Sequence, residues 1–231
     1  VAHPQIILHA YWASSCSWRV RAALRFKSIP HEEKHYEILQ QKQHLSDGFR
    51  NICATQKVPA LEIDHEILIE SMAIIQYLEE TRPQPTLLPS TPLLRARMRE
   101  ICEVVVSGIQ PFQNVCLKDQ TEEQFQNMAL HYTARGLETL EDLLAKTSKG
   151  NFCIEDHLTM ADLCLVPQVY NLFVDVASGT GTLFTAITYH FLNVFVVFFY
   201  LYNKKNNFNL TLPTLKDELG KRTPSLKRKK V

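Results

Sequence analysis

A chain of 231 residues, 45% of them hydrophobic, holds enough apolar material for one large domain or two small ones. Its 25 Lys and Arg against 24 Asp and Glu, a formal net charge of +1, exclude an electrostatic pull toward nucleic acid or acidic partners. The six cysteines, Cys16, Cys53, Cys102, Cys116, Cys153 and Cys164, show neither regular spacing nor a CxxC pair, which argues against a zinc site or disulfide framework and for a reducing, cytoplasmic setting.

No charged region followed by an apolar stretch opens the chain, so no signal peptide is expected. Gln5 to Tyr11 has the short, β-branched character of a strand. Trp18, Ala22, Ala23, Phe26 and Ile29 then recur at helical spacing. Ser14-Ser15-Cys16-Ser17 therefore sits at a strand-to-helix junction. A helix start presents unpaired N–H groups and a partial charge of roughly +0.5, which favours an anion such as a thiolate. That field contributes about 0.3–2 kcal/mol, or about one pKa unit at best, so hydroxyl donors must add to it. Taken alone, the stretch reads by default as an ordinary N-cap.

Glu32 to Glu37 is a polar strand, and Gln40 to Arg50 a loop with a short helix. Lys57 to Ile63 alternates as a strand with Pro59 near its head, and the Val58-Pro59 bond is a candidate for the cis form. Asp64-His65 makes a turn into a strand from Glu66 to Ile69. Glu70-Ser71 opens another helix through Met72, Ile75 and Leu78, with a hydroxyl at its mouth. Pro83, Pro85, Pro89 and Pro92 mark a linker. Beyond it, Leu93 to Val106, Glu122 to Lys146 and Met160 to Asn171 are helical. Pro111 should break or kink the chain after the first of these. Thr159-Met160-Ala161-Asp162 fits a capping box.

The strand-helix-strand, strand-strand-helix and all-helical order resembles the glutathione transferases. Ser14-Ser15-Cys16-Ser17-Trp18-Arg19-Val20-Arg21 is similar to the signature of their zeta class, the maleylacetoacetate isomerases. Lys57-Val58-Pro59, Glu70-Ser71-Met72-Ala73-Ile74-Ile75, Gly108 to Asn114 and Thr159 to Leu163 match in the same order. The likeness runs from about Ile6 to Asn171. It implies an α/β thioredoxin-like N-terminal domain over 1–82, a linker over 83–92 and an all-α domain over 93–171, with a truncated or replaced C-terminal end over 172–231.

The resemblance also implies glutathione as a cofactor whose thiolate adds to the cis double bond of maleylacetoacetate and is expelled after rotation, giving the trans isomer. Ser14, Ser15 and Cys16 are the implied catalytic residues. Ser17, Trp18 and Arg19 complete the first turn around the ligand. Val58 would pair with the cysteinyl backbone, and Glu70 and Ser71 would hold the γ-glutamyl end. Gln110, Asn114, Val115 and Cys116 match family positions near the ligand. His44 stands where the family has glutamine, and so does Glu70. Arg19 and Arg21 are candidates for an anionic substrate, against the commoner role of solvated charges on a helix face. None of the nine histidines has the spacing of a metal site or a triad. A homodimer is implied; nucleic acid and membrane partners are not.

After Asn171 the family continues its helix, adds others and supplies an arginine for an acidic substrate; this chain departs from that pattern. Residues 172–231 carry nine Lys and Arg against three Asp and Glu, and ten of the chain's 22 aromatics. Thr182 to Tyr202 has the length of a membrane span but is interrupted by threonines, His190 and Asn193. A divergent packed segment and a spliced or frame-shifted end are the other readings, and the last is preferred. Two functional alternatives stay open. One is a thiol transferase or dehydroascorbate reductase using Cys16; the other is a glutathione-binding chain whose substrate side is impaired.

Overall fold

A computed structural model describes residues 6–113 and 123–177. The chain divides into two units, Val1–Leu172 and Phe173–Val231, and the described residues fall almost wholly in the first. The first strand is β1 (Ile7–Ala10), followed by α1 (Ser15–Phe26) and β2 (Glu32–His35). β1 and β2 pair in parallel, so α1 serves as the crossover that parallel pairing requires. After a 3₁₀ turn (Gln43–Leu45) and α2 (Asp47–Ile52), β3 (Ala60–Ile63) and β4 (Glu66–Ile69) add antiparallel. The strand order is β2-β1-β3-β4.

Opposed pairs in the β1–β3 register are Leu8 with Leu61 and His9 with Ala60. Alternation therefore puts Leu8, Ala10 and Leu61 on one face and His9, Ala60 and Glu62 on the other. The second face meets α2, where Phe49, Cys53 and Ala60 form a cluster joined by Tyr36, Ile52, Val58 and Ile69. His9 is fully buried there, bridging Tyr36 Oη at 2.9 Å and Glu62 Oε1 at 2.6 Å. α1 packs beside α3 (Ser71–Thr81). Val20, Ala23 and Leu24 from one, and Ile74, Ile75 and Leu78 from the other, are buried.

The hairpin joining β3 to β4 turns through Asp64 and His65 at φ of 52° and 66°, the positive values that a type I′ turn requires at both positions. Neither residue is glycine. Asp64 is instead held by Tyr77 Oη at 2.6 Å and Arg82 Nη2 at 2.8 Å, hydrogen bonds that keep its carboxyl below the ordinary aspartate range. The Val58–Pro59 bond is cis, as the sequence allowed, and so is Gln84–Pro85.

The proline-rich linker is fastened rather than loose. Lys27 and Glu79 form a buried ion pair at 2.7 Å. Lys27 Nζ also donates to the carbonyls of Arg82 and Pro85, while Glu79 accepts from Thr86 Oγ1 and the Leu87 N–H. One buried pair thus ties the end of α1 to the exit of α3.

α4 (Pro92–Glu103) starts with Thr91 capping and Pro92 in its first turn, where the missing N–H costs nothing. The sequence suggested a helix to Val106. The α-helix ends instead at Glu103, widens into a π-turn over Val104–Ile109 and tightens to a 3₁₀ turn over Gln110–Gln113. Pro111 explains this, since it has no N–H and its ring crowds the carbonyl four residues back. α5 (Glu123–Thr147) and α6 (Met160–Ala177) follow. α6 runs past Asn171, where the sequence reading stopped, because Leu172 to Ala177 contains no breaker. The readings of the tail beyond Ala177 lie outside the described residues.

Asp162 organises the start of α6. It accepts from the Thr159 N–H at 2.7 Å, from Thr159 Oγ1 at 2.9 Å and from the Cys153 N–H at 2.8 Å. The expected capping box is therefore half formed: the threonine hydroxyl donates to the carboxylate, and the Asp162 N–H goes to the Thr159 carbonyl. Burial pushes the Asp162 pKa up against these donors.

A Cβ on Gly136 of α5 would stand 2.4 Å from Cγ1 of the fully buried Ile109. Gly136→Ala should lower the unfolding free energy in urea by about 1–3 kcal/mol, the range for an overpacked core. On β2, Glu33 accepts from Arg21 Nε at 2.8 Å. Burial alone would raise the Glu33 pKa, but His31 and Arg21 bring it from 4.5 down to about 2. A depressed carboxylate stabilises the fold above its unfolded pKa and loses that contribution as pH falls through the folded one. Between pH 4.5 and 2 the native protein should therefore lose more stability in urea titrations than Glu33→Gln does.

Candidate functional site

The first turn of α1 is built by serine side chains with distinct tasks. Ser14 is the N-cap, in extended geometry (φ −75°, ψ 118°), and its Oγ accepts from the Ser17 N–H at 3.1 Å. The default N-cap reading of this serine is correct. A hydroxyl that accepts through a lone pair still has its own proton to donate, so capping and ligand binding are compatible. Ser17 Oγ accepts from the Tyr11 N–H at 3.3 Å, inside the fold. Ser15 is buried as well, whereas Ser14 and Cys16 are half-buried and reach solvent.

At the start of α3 the hydroxyl is placed differently from expectation. Glu70, not a serine, occupies the cap position; it is exposed, sits at φ 66° and makes no side-chain cap bond. Ser71 is the first helical residue and is buried. Its Oγ accepts from Arg19 Nη1 at 3.3 Å. Arg19 is 0% exposed and its Nη2 donates to Gln168 Oε1 at 3.4 Å. Gln168 in turn donates to Gln113 Oε1.

This corrects the reading of Arg19 and Arg21 as solvated charges on a helix face. Arg19 cannot face solvent, and Arg21 is buried against Glu33. The reason is position: on α1 these two side chains point toward α3 and β2, not outward.

α6 holds the same turn from another side. Asn171 Nδ2 donates to the Ala13 carbonyl at 3.2 Å, and the Tyr170 ring meets Trp18 edge-on with centroids 5.2 Å apart. Gln168, Tyr170 and Asn171 were missed because the 159–163 motif explained α6 as a folding element. The available signal was a glutamine and an asparagine in the otherwise apolar run from Leu163 to Leu172.

The remaining expected residues are more dispersed. His44 is half-buried on the 3₁₀ turn, with its carbonyl accepting from Gln56 Nε2. Its Nδ1 is buried without a partner. Burial, then Lys42, pushes its pKa down. Val58 packs on the Phe49 cluster, and Gln110 is half-buried in the 3₁₀ turn before Gln113. Asn114, Val115 and Cys116 lie outside the described residues. Cys53, Cys102, Cys153 and Cys164 are free and buried. The Cys164 hydrogen bond and burial hold the Cys102 thiol well above its ordinary range, and burial does the same to Cys153. Among the described residues no cluster of His, Cys, Asp and Glu is arranged to hold a metal ion.

Residues 8–86 match the family described as glutathione S-transferase, N-terminal domain. The chain is 50% identical over 168 residues to a Drosophila melanogaster protein described as probable maleylacetoacetate isomerase 1, covering 71% of this chain and 68% of that one. It is 43% identical over 167 residues to the Mus musculus maleylacetoacetate isomerase, 71% of this chain and 77% of that one. A solved bacterial zeta-class glutathione transferase, described as a holo structure of maleyl pyruvate isomerase, superimposes with TM-score 0.72 at 28% identity, over 87% of this chain and 99% of that one. The chain belongs to the zeta-class glutathione transferases. The maleylacetoacetate isomerase of Anaeromyxobacter dehalogenans 2CP-1, solved with glutathione in its active site, is a further neighbour, with TM-score 0.70 and 32% identity over 88% of this chain and 97% of that one. The glutathione transferase plan, an α/β thioredoxin-like half followed by helices, is thus the fold of the described residues.

In this transferase Ser14 has a measurable structural share. Ser14→Ala should cost about 1 kcal/mol in urea unfolding, while Ser14→Asp, which keeps a capping acceptor, should stay within about 0.5 kcal/mol of the native protein.

Proposed function

We propose that this chain catalyses the glutathione-dependent cis–trans isomerisation of maleylacetoacetate to fumarylacetoacetate, in phenylalanine and tyrosine catabolism, with glutathione transferase side activity. The observation that carries this reading is the first turn of α1. There Ser14 caps the helix through its lone pair and keeps its O–H available, beside backbone N–H groups that have no partner within the helix. Two features of the chain fit glutathione. The α1 start suits a thiolate, and the α3 start combines Ser71 with a buried guanidinium whose Nε has no partner.

Bound glutathione supplies the nucleophilic thiolate. Ser14 donates its hydroxyl proton as a hydrogen bond to the sulfur, while Ser15 and the N–H groups of the α1 start add to the same field. Cys16 sits beside them, and Ser17, Trp18 and Arg19 hold the turn in place. The main chain of Val58 pairs with the cysteinyl unit, and Glu70 and Ser71 hold the γ-glutamyl end, where the Glu70 carboxylate suits an ammonium group. His44 takes the place of the family's glutamine at the edge of the site. Gln110, Asn114, Val115 and Cys116 are assigned to the ligand by their match to family positions alone. We infer that the protein works as a cytoplasmic homodimer, on family membership.

A second reading rests on the half-exposed position of Cys16 at a helix start, which suits a reactive thiol. The deciding experiment is the isomerisation rate of the purified full chain with and without glutathione, repeated for Cys16→Ala and Ser14→Asp. A glutathione-dependent rate that survives Cys16→Ala and falls about a hundredfold in Ser14→Asp supports the isomerase. Loss of all turnover in Cys16→Ala favours thiol chemistry. Glutathione binding without any turnover leaves a binding protein.

A further inference from the structure

Among the described residues three cationic side chains are buried: Arg19, Arg21 and Lys27. Two have carboxylate partners close by. Arg21 pairs with Glu33 at 2.8 Å and Lys27 with Glu79 at 2.7 Å. Arg19 is 0% exposed, yet no carboxylate among the described residues lies within ion-pair distance of it. Its contacts are two long hydrogen bonds to neutral acceptors, Ser71 Oγ at 3.3 Å and Gln168 Oε1 at 3.4 Å. Its Nε has no partner. A guanidinium carries five N–H donors, and leaving such a charge buried without a counter-ion is costly.

Two buried thiols, Cys164 of α6 and Cys102 of α4, feel the Arg19 charge, but the carboxylate of α6 does not pair with it. Asp162 of α6 is six residues before Gln168, about 9 Å along the helix axis. Its oxygens are engaged by Cys153 and Thr159. What lies on the other side of Arg19 is the start of α3. Ser71 accepts from the guanidinium, so its own O–H is free to donate, and that hydroxyl is polarised by the charge behind it. Ser71 is also the first residue of an 11-residue helix, and its N–H is one of the groups that the helix leaves unpaired. An unpaired buried cation, a hydroxyl aimed away from it and a helix start converge on one place.

We propose that Arg19 is the counter-charge for a carboxylate bound at the start of α3, acting on it through Ser71 without touching it. The proposal rests on the glutathione reading, which puts the α-carboxylate of the γ-glutamyl residue there. Arg19 is then a positioning residue, held in place by the Gln168–Gln113 pair of the helical half. Its charge is compensated when the ligand arrives, which makes part of the affinity for glutathione an affinity for that one carboxylate.

The test compares two ligands by titration calorimetry on the full chain: glutathione, and its analogue with 4-aminobutyrate in place of γ-glutamate, which lacks only the α-carboxylate. The native protein should prefer glutathione by roughly 10–100-fold, the scale of one charge pair in a partly buried setting. Arg19→Met should reduce the preference to about threefold or less, and Arg19→Lys should restore part of it. Arg19→Gln, which keeps a polar side chain and removes only the charge, should shrink the preference likewise and serves as the readout where Arg19→Met fails to fold. A preference that survives in these variants, or an equal loss of affinity for both ligands, overturns the proposal. If the native chain binds neither ligand, the glutathione reading itself fails and takes the proposal with it.

Discussion

The first turn of α1 is a short piece of backbone that must expose unpaired N–H groups while staying in one place, and those demands conflict. Exposed helix starts fray, because nothing inside the helix holds their donors. Here the turn is anchored from several directions. Ser17 ties it to Tyr11 at the end of β1, Asn171 of α6 holds the Ala13 carbonyl, and Arg19 reaches across to Ser71 and Gln168. Ser14 closes the end without using up its proton. The groups that anchor the turn are inward, so the outward N–H groups and hydroxyl are left for a ligand.

This arrangement explains why the helical half matters to a site whose polar groups belong to the α/β half. Gln168, Tyr170 and Asn171 lie within one turn of α6, and each meets a different part of the α1 start. Their own position depends on Asp162, whose buried carboxylate fixes where α6 begins. The π-turn and 3₁₀ turn forced by Pro111 present Gln113 to Gln168. A folding motif in one half is thereby connected through buried hydrogen bonds to the chemistry of the other.

The buried charges divide into two kinds. Lys27 with Glu79, and Arg21 with Glu33, are neutralised within the chain and fasten the linker and the sheet edge. Replacing one partner of such a pair leaves the other uncompensated, which is why they are costly to disturb. Arg19 is different in having neutral partners only. A fold that buries a charge without a carboxylate keeps an electrostatic demand unmet, and the place where it can be met is the place where an anionic ligand binds. Structural and functional charges are thus distinguished by their partners, since burial is common to both.

Local pattern alone determined much of the α/β half. The β-branched run from Gln5 to Tyr11, the Ser14 cap, the Asp64-His65 turn and the Pro59 strand entry are read from adjacent residues, because each depends on backbone preferences a few residues long. The signature from Ser14 to Arg21 and the motifs after it also named the glutathione transferase family, and with it most of the candidate site. What the sequence left undecided depends on residues far apart in the chain. That Arg19 is buried requires Ser71 and Gln168, 52 and 149 residues away. That Ile109 packs against Gly136 of α5 joins residues that no local pattern connects. The role of α6 in holding the α1 start was illegible for the same reason. Periodicity reports which face of a helix is apolar, but only the folded chain decides which distant polar group that face will meet.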